Sequence, residues 1–524
     1  MNEMIDPKTL EVERAYVVDA PYTWSYFEYQ NPLLMQFVAH LNGYAAPDTS
    51  KPFSYCDLGC GNGVSVNLLA AAYPQGHFVG VDFNKEHIDN ANVYVDRAGL
   101  NNVEFIDASF DQYRRADPTQ FDFITMHGIY SWVGEEVRQQ IRDLVEKTLK
   151  PGGLLYVCYN TLPGWTDLIP IWKMMQMYIA DIEGDSVTKA KKGLAKIDAL
   201  RQSGARYFKD NPSASRFVDR LLARDPHFVA HEFCIGCFEP QYFLDVANGL
   251  KDIGLNYAGT AKVYRNDQRN ILSDRYAEEL ADAPDRLSAE ARASFIRNEF
   301  FRRDIYVKGG ERLSDDARAE ALGRYVTGAN VVASKLEDRI DLERREIKAN
   351  RGAYKVLLPL MASGKYRVEE LYSHPDLRHL PPAEVLSAAI DLIGGGQITP
   401  IAQKIDAAPV SGTDRFRVAS EMNRVFLDER LMDEGKAYVQ SPVLGSALRL
   451  NMVSGLFLRA LHNRTPGQAL EQVAEEVASF SKAERERLKI RNDKNYRKWL
   501  FDQFVRFEER VLPLLIKYGV VEKG

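Results

Sequence analysis

Three glycines and two carboxylates carry the clearest chemistry in the chain. Tyr55 to Gly63 reads Tyr-Cys-Asp-Leu-Gly-Cys-Gly-Asn-Gly, with glycines at 59, 61 and 63. Lacking a Cβ, glycine lets backbone approach a bound ligand closely, and a helix that follows turns free N–H groups towards it. Residues 53–58 form the short apolar run of a buried strand, and 64–73 have helical composition. Strand, Gly-rich turn and helix in that order predict a nucleotide-type ligand on an open α/β sheet. The dinucleotide fingerprint needs a further glycine where this chain has Val64, and Asp57 stands two residues before the first glycine instead. A second apolar stretch, His77 to Asn84, contains Asp82, a carboxylate placed at a strand end to accept hydrogen bonds from both hydroxyls of a ribose.

The elements that must position these groups alternate strand and helix from 53 to about 160, as a doubly wound parallel sheet does. Further strands are read at Val103–Asp107, Phe121–Met126 and Leu154–Cys158, and a helix over 135–150 is stopped by Lys150-Pro-Gly-Gly153. Two aromatic loops leave the strand ends, His127-Gly-Ile-Tyr130-Ser-Trp132 and Tyr159-Asn160-Thr-Leu-Pro-Gly-Trp165. In open sheets the crevice beyond those ends holds ligand. An aromatic segment with Pro21, Tyr22, Trp24, Tyr26 and Phe27 precedes the first strand, followed by an amphipathic helix from Pro32 to Gly43. It either plugs the flank of the sheet or forms a lid over its ligands.

At 524 residues the chain needs several domains, and 45% hydrophobic with 27% charged residues is ordinary for a globular protein. A net charge of −6 gives no basic excess for nonspecific nucleic-acid binding. The start lacks the pattern of a signal peptide, and no apolar run is long enough to insert into a membrane. Five cysteines, an odd and small number, favour a reducing cytoplasm. His227, His231, Cys234 and Cys237 have a spacing that can bind zinc, but a helix for the histidines and a loop for the cysteines need not converge, so no metal is expected.

The Asp-x-Gly-x-Gly-x-Gly arrangement resembles the first motif of the class I S-adenosylmethionine methyltransferases. Pro21-Tyr22, Asp82-Phe83-Asn84, the two aromatic loops, His231-Glu-Phe, Pro240-Gln-Tyr-Phe243 and Ile296 to Asp304 resemble bacterial members with a methyltransferase regulatory domain. Some of these are similar to rickettsial protein-lysine methyltransferases. The resemblance covers roughly 15–310 and implies a Rossmann-like α/β fold with S-adenosylmethionine as cofactor and S-adenosylhomocysteine as product. It implies cofactor contacts from Asp57, Gly59, Gly61, Gly63, Asp82, Phe83 and His127, with Asp107, Ala108 and Ser109 near the adenine.

Methyl transfer by in-line displacement is mostly alignment in a dry pocket. An amine acceptor must also be neutral, which apolar aromatic walls favour by desolvation. Tyr22, Tyr26, Tyr130, Trp132, Tyr159, Asn160 and Trp165 are the expected acceptor contacts, with His127, Tyr159 and Trp132 as catalytic candidates. The bland alternative for these aromatics is loop packing. The expected domains are a cap or lid (1–52), a methyltransferase domain (53–165), a helical and regulatory-like domain (166–310) and a mostly helical region (311–524). Within the last, Leu357 to Ile398 hints at a winged-helix-like unit. The expected acceptor is a protein lysine, and a homodimer is a further expectation. The rivals are N- or O-methylation of a small metabolite or sugar precursor, and a cofactor-binding scaffold without turnover.

Overall fold

The computed structural model describes residues 24–330, 339–403, 414–487, 490 and 495–524. Tyr22 and Pro21 lie outside the described residues.

Five strands, β1 (Phe53–Leu58), β2 (Gly76–Asp82), β3 (Val103–Asp107), β4 (Phe121–Met126) and β5 (Leu149–Asn160), pair in parallel. β6 (Leu255–Thr260) and β7 (Phe301–Lys308) complete a seven-stranded sheet in the order β3-β2-β1-β4-β5-β7-β6, with β7 antiparallel to both its neighbours. The order reverses between β1 and β4. That switch point opens a crevice at the carboxyl ends of these two strands, where Asp57 and His127 stand.

Alternation along each strand divides the core into two layers. Tyr55, Phe78, Phe123 and Tyr156 point to one face, where they join Met35, Phe37 and Val38 of the helix Pro32–Leu41. Cys56, Val79, Ile124 and Val157 point to the other, against the helices Glu135–Thr148 and Phe243–Lys251. The N-terminal segment meets the sheet in two places. Its helix plugs one face of the sheet, while the residues just before it reach the crevice.

The sheet does not end at 165. A run of helices from Ile169 to Lys251 leaves β5, and the chain then returns to add β6 and β7. The methyltransferase and middle segments therefore share one sheet, and a boundary at 165 cuts through it. Arg302 on β7 fastens this junction: its guanidinium donates to both Asp304 oxygens (2.7 and 3.0 Å), to Ser294 Oγ (3.1 Å) and to Tyr257 on β6 (3.1 Å).

Beyond 311 helices dominate but are not alone. Helices Tyr354–Ser363 and Pro382–Gly394 flank a three-stranded antiparallel sheet of Lys365–Arg367, Val326–Ala329 and Ile398–Pro400. A further apolar core gathers Leu427, Val439, Leu456, Phe457 and Phe504. Arg430 ties this region to the sheet layer, lying over the Trp24 ring (3.3 Å to its centroid) and donating to the Tyr94 hydroxyl.

Candidate functional site

The turn after β1 is held by backbone bonds from Gly59 and Cys60 to Val81 of β2 (2.8 and 3.1 Å). Gly59, Gly61 and Gly63 all have positive φ (75°, 53° and 67°), a region that side chains with a Cβ avoid. A Cβ on Gly59 would meet Ile129 Cδ1 at 2.5 Å. Helix Val64–Ala72 begins directly after this turn.

Asp82 ends β2 with its carboxylate accepting from Gly61 N and Asn84 N, both at 2.9 Å. His87 Nδ1 lies 3.5 Å away. Asp107 faces Asp82 across the β2–β3 register. Ala108 N donates to Asp82 O, and Ser109 caps the helix Phe110–Arg115 in a reciprocal capping box with Gln112. Phe83 is half-buried beside them. Together, Asp82, Asp107, Ala108 and Ser109 form a polar rim suited to a nucleoside.

Asp57 is buried. It accepts from Gln30 Nε2 and Thr125 Oγ1, each at 2.7 Å, and Thr125 is braced by the Tyr55 hydroxyl at 2.8 Å. Burial, opposed by these two hydrogen bonds and aided by the nearby Asp82, pushes the Asp57 carboxyl up to about 7. Gln30 arrives from the N-terminal segment, which is pinned to the glycine helix by Phe27 N donating to Ser65 Oγ (3.1 Å).

His127 follows β4. Its ring stacks on Phe27 (3.8 Å between centroids) and its Nδ1 is 3.0 Å from the Tyr156 hydroxyl. Burial and the neighbouring Arg303 push it down to about 3, so the imidazole is neutral at physiological pH. Such a group is poorly matched to take a proton from an amine, which removes the main reason for a general-base role.

Phe27 and His127 line two spaces at once. One is the small crevice over Asp57, Gly59 and Val64. The other is a cavity of about 980 Å³, walled by Trp165, Phe217, Phe228, Phe233 and Phe300, with Asn160 and Arg303 also on its surface. A volume this large lies at the upper end of small-molecule sites. Trp165 is stacked on Phe300 (4.6 Å) and set edge-on to Phe238 (4.6 Å).

Of the expected acceptor contacts, the structure brings His127, Asn160 and Trp165 to this cavity. Trp132 stands behind them, stacked on Phe238 at 4.5 Å. Tyr159 is turned away: it is 1% exposed and donates to Asp304 Oδ2 at 2.7 Å. The reason is strand alternation, since Tyr156 serves the His127 face of β5 and the odd-numbered Tyr159 must take the other. Tyr130 is likewise buried in that opposite layer, its hydroxyl accepting from Arg142 (3.2 Å). Tyr26 points to the C-terminal region and bonds Ser446 Oγ at 2.8 Å. These three tyrosines are structural in this fold.

The residues at or beside these two spaces that sequence reading did not single out are Gln30, Thr125, Phe217, Phe228, Glu232 and Arg303. Gln30 closes the aromatic segment and Glu232 lies in the His231-Glu-Phe motif, but neither carries a local signal of where it points. Among the described residues no three His, Cys, Asp or Glu side chains are grouped to hold a metal ion. His231 sits on the helix Pro226–Phe233, and Cys234 follows that helix.

Residues 50–204 match the family described as "Methyltransferase domain", and residues 225–308 that described as "Predicted methyltransferase regulatory domain". The chain thus carries a methyltransferase domain followed by a predicted methyltransferase regulatory domain, and it is an S-adenosylmethionine-dependent methyltransferase. An uncharacterized protein of Synechocystis is 29% identical over 514 residues, covering 96% of this chain and 99% of that one. An uncharacterized protein of Rickettsia prowazekii is 28% identical over 335 residues, which span 62% of this chain and 58% of that protein. The fold is also that of PKMT2 from Rickettsia typhi, solved in complex with AdoHcy, with a TM-score of 0.72 at 21% identity over 95% of this chain and 99% of that one.

Proposed function

We propose that the protein transfers methyl groups from S-adenosylmethionine to the side-chain amine of lysine in a protein substrate. The observation that carries this reading is the aromatic cavity that shares Phe27 and His127 with the crevice over Asp57. Asp82 offers the ribose hydroxyls a carboxylate, the positive-φ glycines leave room for close approach, and Asp57 supplies negative charge. These residues fit the cofactor. When bound, S-adenosylmethionine supplies an electrophilic methyl group on a cationic sulfur. The neutral, clamped His127 adds no repelling charge beside it.

A lysine amine of ordinary pKa near 10.4 is neutral in only about one molecule in 2,500 at pH 7. A cavity lined by Trp165, Phe217, Phe228, Phe233 and Phe300 disfavours the ammonium by desolvation, and ring faces hold a methylammonium product by cation–π attraction. The rim is exposed and carries Arg220 and Arg224, each set over a phenyl ring, of Phe217 and Phe228 respectively. Further support comes from the large regions beyond the sheet and from the resemblance to rickettsial protein-lysine methyltransferases. The reading places the enzyme in the cytoplasm, and among the described residues no helix is long and apolar enough to cross a membrane.

A second reading, methylation of a small carboxylate-bearing acceptor, is favoured by Arg303. It lines the same cavity, its guanidinium lies over Tyr29 (4.8 Å) and Phe301 (4.6 Å), and its Nε has no hydrogen-bond partner among the described residues. Incubation with methyl-labelled S-adenosylmethionine in host lysate separates the two. The lysine reading expects a discrete protein band that yields methyl-lysine on hydrolysis. Label confined to the low-molecular-weight filtrate would overturn it in favour of the small acceptor.

A further inference from the structure

One charged side chain on the cavity wall has no structural employment. Glu232 lies in the last turn of the helix Pro226–Phe233, within the segment matched as a regulatory domain. Phe228, four residues earlier, shares its face of the helix, and both line the cavity. The other charged or titratable groups on that surface are His127, Asp167, Arg220, Arg224, His231 and Arg303. Asp167 accepts from Ser213 (2.9 Å), Arg220 and Arg224 lie over rings at the rim, and Arg303 lies over Tyr29 and Phe301. Among the described residues Glu232 forms neither an ion pair with any of these nor a hydrogen bond.

Glu232 is half-buried, and an unpartnered carboxylate that faces an aromatic cavity is available to a ligand there. At this corner of the wall, between Phe228 and Glu232, the fitting ligand is a cation. A cation entering between the Phe228 ring and the Glu232 carboxylate gains cation–π attraction on one side and a charge-assisted hydrogen bond on the other. We propose that Glu232 is the counter-charge and proton acceptor for the acceptor amine, so that the regulatory segment completes the acceptor site. This rests on the lysine reading.

The proton balance is simple. The acceptor arrives as R–NH₃⁺, passes one proton to the Glu232 carboxylate, and stands as R–NH₂ beside a neutral carboxylic acid with its nitrogen lone pair free. The acid returns its proton to water before the next turnover. Burial pushes the Glu232 carboxyl up to about 7, nearer an amine than an ordinary carboxylate is, which suits this exchange. His127, pushed the other way, does not compete for the role.

The test uses the full chain saturated with S-adenosylhomocysteine and two probes, Nα-acetyl-lysine-N-methylamide and its uncharged isostere Nα-acetyl-norleucine-N-methylamide. Binding by NMR titration should favour the lysine probe at least tenfold in the native protein, and within about twofold in Glu232→Gln, with S-adenosylhomocysteine affinity unchanged. Transfer to the labelled lysate protein should fall about 10²-fold or more in Glu232→Gln, a loss typical of a missing general base. Glu232→Asp should retain the charge preference while shifting the pH profile, and it serves as the variant of record if the Gln protein does not fold. Glu232→Gln with native charge preference and native transfer would overturn the proposal while leaving protein methylation standing. A charge preference that depends on Glu232 in a protein that labels only small molecules would keep the cation site and overturn the lysine reading instead.

Discussion

If S-adenosylmethionine binds over Asp57 as proposed, that carboxyl gives binding a pH dependence that can be worked out in advance. In the free protein it is pushed up to about 7, chiefly by burial. A ligand ammonium beside it, such as the α-amino group that S-adenosylmethionine and S-adenosylhomocysteine share, favours the ionised form, so binding requires loss of the proton wherever the free carboxyl is protonated. If the bound carboxyl stays ionised, the apparent dissociation constant scales as one plus the ratio of protonated to ionised carboxyl. That factor is about 11 at pH 6 and about 1.1 at pH 8, a roughly tenfold or 1.4 kcal/mol loss of affinity on acidification, with about half a proton released per ligand at pH 7. Calorimetry with S-adenosylhomocysteine at pH 6, 7 and 8 measures this directly. Asp57→Asn controls for the ligand's own titration, and its affinity should lack the tenfold slope. Equal slopes in both proteins, or no slope in the native one, would refute the assignment. The same raised carboxyl acts on folding with the opposite preference: its own contribution to the stability of the unliganded protein is fullest below the ordinary aspartate range and is lost as pH rises through about 7, and Asp57→Asn should remove that contribution.

Asp82→Ala should weaken S-adenosylhomocysteine binding by about 1–3 kcal/mol through lost charge-assisted hydrogen bonds, read by the same calorimetry. Trp165→Leu should leave cofactor affinity within about twofold yet cut transfer to the acceptor by about tenfold or more, since it removes an aromatic wall of the cavity and not a crevice residue. Tyr159→Phe should retain transfer within a few-fold but destabilise the fold by about 1.5–3 kcal/mol, the range for a hydrogen bond to a charged group, as measured by urea unfolding. Arg302→Met should cost about 3–5 kcal/mol in the same assay, because Asp304 would be left buried without its cation.

The Gly-rich turn after β1 and the acid that ends β2 were legible because their signals are local. Asp57, the glycines and Asp82 lie at strand ends that short apolar runs announce, and the turn chemistry is written in contiguous residues. The aromatic cavity was legible only in outline. The loops after β4 and β5 were recognised as facing the crevice, but which side chains enter it depends on alternation, and a one-residue difference sends Asn160 to the cavity and Tyr159 into the core. Gln30, Glu232 and Arg303 were hidden for a different reason: they are carried to the site by segments far away in sequence. β6 and β7 were missed as members of the central sheet because a long helical excursion separates them from β5, and periodicity says nothing about which edge a returning strand will join. That excursion also explains why a domain boundary placed at 165 divides what the fold keeps whole.

The most direct test of the central claim, that one crevice at the switch point serves an acceptor cavity through the Phe27–His127 pair, is a crystal structure of the full chain with S-adenosylhomocysteine. The account predicts ribose density at Asp82 and the ligand's sulfur beside Phe27 and His127, open to the cavity walled by Trp165 and Phe300. Density placing the sulfur away from that pair, with the cavity closed off from the ligand, would contradict it.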